Sequence, residues 1–162
     1  AYPKKCIIIA APHTSNWDFL IGRCYGYITK LNVHYLIKSS FFIPVLGALI
    51  RKNGGIPVYR DSANNMVSRI VKRFNNSDSF RLGISPEGTR SRVEKWKTGF
   101  YHIAYKANVP ILLLAMDFKT KRVGVIDSLI PSGNIEQDMI YIQNKFHDKT
   151  GKIPENYNPK IL

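Results

Sequence analysis

Residues 5–11, KCIIIAA, predict a buried strand built on the apolar run CIIIA, and a few residues later the hydrophobic period changes. From Trp17 onward, apolar side chains recur at 17, 20, 21, 24, 25, 28 and 31, the spacing of one helix face. The same change repeats along the chain. VHYLI (33–37) has strand character and is followed by a short apolar helical segment around 40–51. GGIPVY (54–59) predicts a short strand, after which Ser62 caps a helix whose apolar face is Met66, Val67, Ile70, Val71 and Phe74. FRLGIS (80–85) precedes a helix over 98–108, PILLLAM (110–116) and RVGVID (122–127) follow as strands, and a last helix over 134–149 is closed by Gly151. Strands that alternate with helices bury their apolar faces in an α/β domain, with a mostly parallel or mixed central sheet flanked by helices. No linker, repeat or low-complexity tract interrupts the pattern, so residues 1–162 are expected to form a single domain.

In such a sheet, ligands gather beyond the carboxyl ends of the strands. Three polar segments fall there. APHTSNWD (11–18) follows the first strand and places His13 and Asp18 five residues apart. On one continuous helix that spacing points two side chains about 140° away from each other. With His13 in the loop and Asp18 in the first helical turn, capped by Ser15 or Asn16, the chain can fold back so that ring and carboxylate meet. The helix dipole favours an ionised Asp18, and an ionised partner suits a histidine acting as general base. An acid in a first helical turn is also favourable without any catalysis. Arg60 ends the strand of GGIPVYR, either as a phosphate clamp or as a solvated arginine beside Asp61. SPEGTRS (85–91) is either an ordinary turn or an anion cradle, in which Pro86 and Gly88 shape the backbone, Arg90 adds charge and Glu87 accepts hydrogen bonds.

The net charge is +13, and it is unevenly spread: residues 1–60 carry 8 Lys/Arg against 1 acid, and residues 61–110 carry 9 against 4. That field draws phosphates. Asp18 and Glu87 lie inside the basic region and no nucleic-acid-binding motif accompanies it, so a nucleic acid is not the expected partner. Cys6 and Cys24 sit in no paired motif, which suits a reducing compartment. The longest apolar run, FFIPVLGALI (41–50), is too short to span a bilayer, so no transmembrane helix is expected in this chain. Flanked by Lys38, Arg51 and Lys52, it is either a buried core helix or a segment that dips Phe41 and Phe42 into an anionic interface. EKWKTGFYHIAYK (94–106) mixes aromatic residues with lysines. It is either an ordinary amphipathic helix or an interface in which Trp96 and Lys97 meet membrane or acyl chain. The histidines show no metal-ligand spacing, and no metal site is expected.

Taken in order, these segments resemble the four sequence blocks of the glycerolipid acyltransferases, the family of bacterial 1-acylglycerol-3-phosphate O-acyltransferases. H-x-S-x-x-D matches His13, Ser15 and Asp18. A glycine-led strand ending in arginine matches Gly54, Gly55, Ile56, Val58 and Arg60. P-E-G-T-R-S matches Pro86 to Ser91 without a substitution, and an apolar strand opened by V-P matches Val109, Pro110 and Ile111. Pro12, Pro57, Tyr59, Ser85 and Leu113 depart from residues common in the family at those places.

The resemblance implies a glycerolphosphate acyltransferase-like fold. It also implies acyl transfer from a thioester, acyl-CoA or acyl-carrier protein, to the hydroxyl of a lysophospholipid such as 1-acylglycerol-3-phosphate. His13 and Asp18 would be the catalytic pair, and Arg60, Glu87, Gly88, Thr89 and Arg90 would hold the acceptor's phosphate. No cofactor beyond the thioester co-substrate is implied. A peripheral position on the cytoplasmic face of an anionic membrane follows from the same resemblance. A lyso-aminolipid acceptor, or a non-catalytic lipid-binding role, are the rival expectations.

Overall fold

A computed structural model of the chain describes residues 2–59 and 63–161. Its centre is a six-stranded sheet: β1 (Lys5–Ala11), β2 (Val33–Lys38), β3 (Gly55–Val58), β4 (Phe80–Ile84), β5 (Ile111–Asp117) and β6 (Arg122–Leu129), in the order β3-β2-β4-β1-β5-β6. All neighbours are parallel except β5 and β6, which form an antiparallel hairpin at one edge. Five α-helices surround it: α1 (Asn16–Ile28), α2 (Pro44–Lys52), α3 (Ala63–Asn75), α4 (Gly99–Ala107) and α5 (Ile135–Phe146). The mixed α/β architecture expected from the alternating periods is the one observed.

Strand alternation divides the core in two. Ile7, Ile9 and Ala11 of β1, with Leu82, Ile111 and Leu113 from its neighbours, face the side packed by Phe74 of α3, Phe100 and Ile103 of α4, and Met139, Ile142 and Phe146 of α5. Cys6 and Ile8 of β1 and Leu112 and Leu114 of β5 face the other side, where α1 adds little more than Tyr25. One face of the sheet is therefore thickly covered and the other thinly.

Two helices differ from their sequence expectation. The segment around 40–51 divides into a 3₁₀ turn, Ser39–Phe41, and α2, whose first residue is Pro44. Proline lacks the N–H that a first helical position leaves unused, so it starts a helix well and joins one poorly. Only Gly47 and Ile50 of α2 are buried, while Phe41, Ile43, Val45, Leu46 and Leu49 are exposed, so the core-helix alternative does not hold. In α1 the apolar period predicts the helix but not its buried face. Trp17, Leu20 and Ile28 are exposed, at 58%, 50% and 82%. Asp18, Gly22 and Gly26, four residues apart and so on one helix face, point to the sheet side and line a cavity there.

Candidate active site

The topology brings two of the three polar segments side by side. β1 and β4 are adjacent and parallel, so the loops leaving their carboxyl ends share one rim. His13 lies in the β1–α1 loop, immediately after a cis Ala11–Pro12 peptide. Ser15 is the N-cap of α1 and Asp18 its third residue. The Asp18 carboxylate reaches back to the cap, as in a capping box: Oδ2 accepts the N–H groups of Thr14 at 2.6 Å and Ser15 at 2.7 Å, and Oδ1 accepts the Ser15 hydroxyl at 3.1 Å. The same Oδ2 lies 3.4 Å from His13 Nδ1. The His13 side chain keeps 23% of its surface exposed and that of Asp18 keeps none.

Burial alone would raise the Asp18 carboxyl. Hydrogen bonds from the His13 ring and from the Ser15 and Thr14 amides outweigh it and hold the group below the usual carboxylate range. An ionised carboxylate facing Nδ1 selects the Nδ1–H tautomer and leaves Nε2 able to take a proton.

Glu87 meets the same loop from the β4 side. SPEG forms a β-turn closed by the Gly88 N–H to the Ser85 carbonyl, 3.1 Å. The turn buries Pro86 and Glu87, and Glu87 Oε2 accepts the His13 backbone N–H at 2.8 Å. Burial pushes the Glu87 carboxyl up to about 8. The His13 amide pulls it back in part and the nearby Asp18 charge pushes it further up. Gly88 has φ +68°, so the turn favours glycine for its conformation, and the flexible Lys97 side chain lies over it. Thr89 and Arg90 continue the loop outward and are exposed.

Other expected residues are placed differently. Arg60 lies outside the described residues, as does Ser62. Trp96 is 5% exposed and packs edge-on against Phe146, so it belongs to the core and touches neither a surface nor the cavity. Phe100 and Tyr101 are also buried, and the 94–106 segment is an ordinary amphipathic helix with its approach. Lys97 is exposed beside the turn. Phe41 is exposed, whereas Phe42 is half-buried with the Arg51 guanidinium 5.0 Å above its ring.

The feature sequence reasoning missed is the cavity. About 290 Å³ of space lies between α1 and the thin face of the sheet, with His13, Asp18 and Ser85 at one end and Ile8, Leu114, Met116, Val125 and Leu31 among its walls. Its signal was the small residues among its walls, Ala10, Gly22, Gly26 and Gly83; a Cβ at Gly22 would meet nothing within 4 Å.

A histidine backed by a buried carboxylate and an apolar cavity meet at the loops that carry H-x-S-x-x-D and P-E-G-T-R-S. Residues 1–117 match the family model described as Acyltransferase. The chain belongs to the acyltransferase family. Over 106 residues it is 37% identical to a 1-acyl-sn-glycerol-3-phosphate acyltransferase of Haemophilus influenzae, covering 62% of this chain and 43% of that protein. Proteins of the same name from Salmonella typhimurium and Escherichia coli are 29% and 28% identical over 123 residues, which is 73% of this chain and 49% of theirs. The chain thus spans less than half the length of these relatives. No solved structure matches it.

Proposed function

We propose that this acyltransferase moves a fatty acyl group from a thioester, acyl-CoA or acyl-carrier protein, to the free hydroxyl of a lysophospholipid such as 1-acylglycerol-3-phosphate. The observation that carries this reading is the contact of His13 Nδ1 with buried Asp18 at the end of an apolar cavity. His13 Nε2 takes the acceptor hydroxyl's proton as its oxygen attacks the thioester carbonyl. The tetrahedral intermediate then collapses, the C–S bond breaks, and the imidazolium returns the proton to the departing thiolate. Asp18 holds the ring and balances its transient charge.

Support for the substrate classes comes from the surroundings. The cavity walls are apolar and suit an acyl chain leading away from His13. Arg90, with Gly88 and Thr89, is exposed on the loop after β4, where its guanidinium would meet an acceptor's phosphate, and Arg60 is the second clamp that the sequence match offers. The name printed for the relatives specifies 1-acyl-sn-glycerol-3-phosphate. The exposed apolar side chains of α1 and α2 support docking on an anionic bilayer. Tyr27 of α1 donates to Asn53 just beyond α2 at 2.7 Å, which makes the two helices neighbours, and Arg51 and Lys52 end α2. Among the described residues, no helix is long and apolar enough to cross a membrane.

The test is product identity. Purified protein is given a long-chain acyl-CoA, or acyl-carrier protein charged with the same chain, beside lysophosphatidate and a lyso-aminolipid together. Mass spectrometry is expected to find phosphatidate as the main product. A preference for the acylated aminolipid would keep the chemistry and overturn the acceptor. Free fatty acid alone would overturn the transfer itself.

A further inference from the structure

The family match ends at residue 117, yet a later segment touches both active-site loops. After α5 the chain runs back to the rim of the sheet. Gly151 is buried, and a Cβ there would lie 2.6 Å from Thr14 Cγ2, 2.8 Å from Thr14 Oγ1 and 3.3 Å from Pro12 Cβ. Its φ lies outside the left-handed region, so the glycine is required by close approach and not by conformation. Two residues on, the Ile153 N–H donates to Thr14 Oγ1 at 3.1 Å. Thr14 in turn donates its own N–H to the Asp18 carboxylate at 2.6 Å and is 1% exposed. One residue therefore stands between this segment and the carboxylate that faces His13.

The second loop is braced as well. The Trp96 N–H donates to the Ile161 carbonyl at 3.2 Å, and the next N–H, of Lys97, donates to the Pro86 carbonyl at 2.8 Å. Arg92 Nη1 donates to the Tyr157 carbonyl at 2.6 Å. The segment has its own anchors. The Phe118 N–H donates to the Thr150 carbonyl at 2.9 Å, the Tyr157 hydroxyl donates to the Phe146 carbonyl at 2.9 Å, and Ile161 is buried in the main core. A strap fixed at both ends and touching two loops between them sets the distance between those loops.

We propose that the strap from Thr150 to Ile161 completes the acyl-transfer site, with Gly151 and Thr14 as positioning residues that set how His13 meets Asp18. This rests on the transfer reading given above. Neither residue touches substrate; both act through the loop that carries the histidine.

The experiment compares Gly151→Ala, Thr14→Val, Thr14→Ala and the double variant Gly151→Ala/Thr14→Ala with the wild type. Gly151→Ala forces its Cβ onto Thr14, and displacements well under an ångström in a reacting group are expected to lower kcat about tenfold or more, with both KM values within about twofold. Thr14→Ala removes the two atoms that the new Cβ would strike, so the double variant recovers to the level of Thr14→Ala alone. Simple loss of strap stability would instead make the two substitutions add. Thr14→Val keeps the shape and leaves the Ile153 N–H unpaired; it loses kcat even if Gly151→Ala does not fold.

A second readout needs no turnover. The ring nitrogens of ¹⁵N-labelled His13, assigned by their absence in His13→Gln, are expected to shift in Gly151→Ala and return in the double variant. Wild-type kcat and unmoved His13 nitrogens in Gly151→Ala would overturn the proposal, as would a double variant no better than Gly151→Ala. A wild type without transferase activity would sink the function proposed above, while the ring shifts would still judge the strap.

Discussion

Asp18 and Glu87 both lie against the His13 loop, one 3.4 Å from the ring and accepting from the next two amides, the other accepting from the His13 amide itself. Their environments push them apart: Asp18 is held below its usual range and Glu87 is raised to about 8. Such separation assigns different work to two carboxyl groups. In the proposed transfer, ionised Asp18 orients the imidazole, and Asp18→Asn, which offers an amide where a carboxylate would select the tautomer, is expected to lower kcat by roughly 10²- to 10⁴-fold. Steady-state rates with unchanged KM values are the check. Glu87 works as a neutral hydrogen-bond acceptor on the loop backbone. Its unfolded carboxyl loses its proton near 4.5, while the folded one keeps it to about 8. Across that window the folded state binds more protons, so this group's contribution to stability falls as pH rises. Glu87→Gln removes that dependence. Thermal unfolding should show the variant gaining on the wild type between about pH 4.5 and 8, and a gap that stays constant would contradict it. The H-x-S-x-x-D and P-E-G-T-R-S residues were legible in the sequence because each follows a strand; the Glu87 to His13 bond was not, because it spans 74 residues.

At the scale of elements, α1 and α2 show what a hydrophobic period can and cannot say. Apolar spacing located both helices, since helix formation needs only the period. It did not say which way the stripes face. In α1 the bulky stripe points outward and the face of Asp18, Gly22 and Gly26 points in, because the sheet beneath must leave room for the cavity. In α2 the glycine packs against the Phe42 backbone, where a Cβ would lie 2.9 Å away, and Val45, Leu46 and Leu49 are turned out. A helix pair exposing so much apolar surface beside cations is suited to a bilayer interface. Val45→Glu with Leu49→Glu removes two exposed apolar side chains, each worth about 1.5–3 kcal/mol when fully buried. Vesicle flotation with phosphatidylglycerol should therefore show binding weakened at least tenfold, about 1.4 kcal/mol. The melting temperature is expected to hold, since neither residue packs in the core. Unchanged flotation would contradict docking through this helix pair.

For the whole molecule, the large core and the cavity occupy opposite faces of one sheet. The thick face holds the large core, including Phe74 and Phe146, both fully buried. Phe74→Ala is expected to cost about 3–5 kcal/mol in denaturant unfolding. The thin face trades packing for a cavity that opens at His13. The alternating periods made the sheet and its helices legible, and strand ends pointed to the rim. The strand order, which puts β4 beside β1, depends on long-range pairing that no local pattern carries. The same holds for the return of residues 150–161 to Thr14.

The most direct test of the account is thiol release from a long-chain acyl-CoA or acyl-carrier protein, with and without 1-acylglycerol-3-phosphate, in wild type and His13→Ala. The account predicts release that requires the acceptor and falls by roughly 10²- to 10⁴-fold in the variant. Release that is equally fast without acceptor, or that survives the loss of His13, would contradict it.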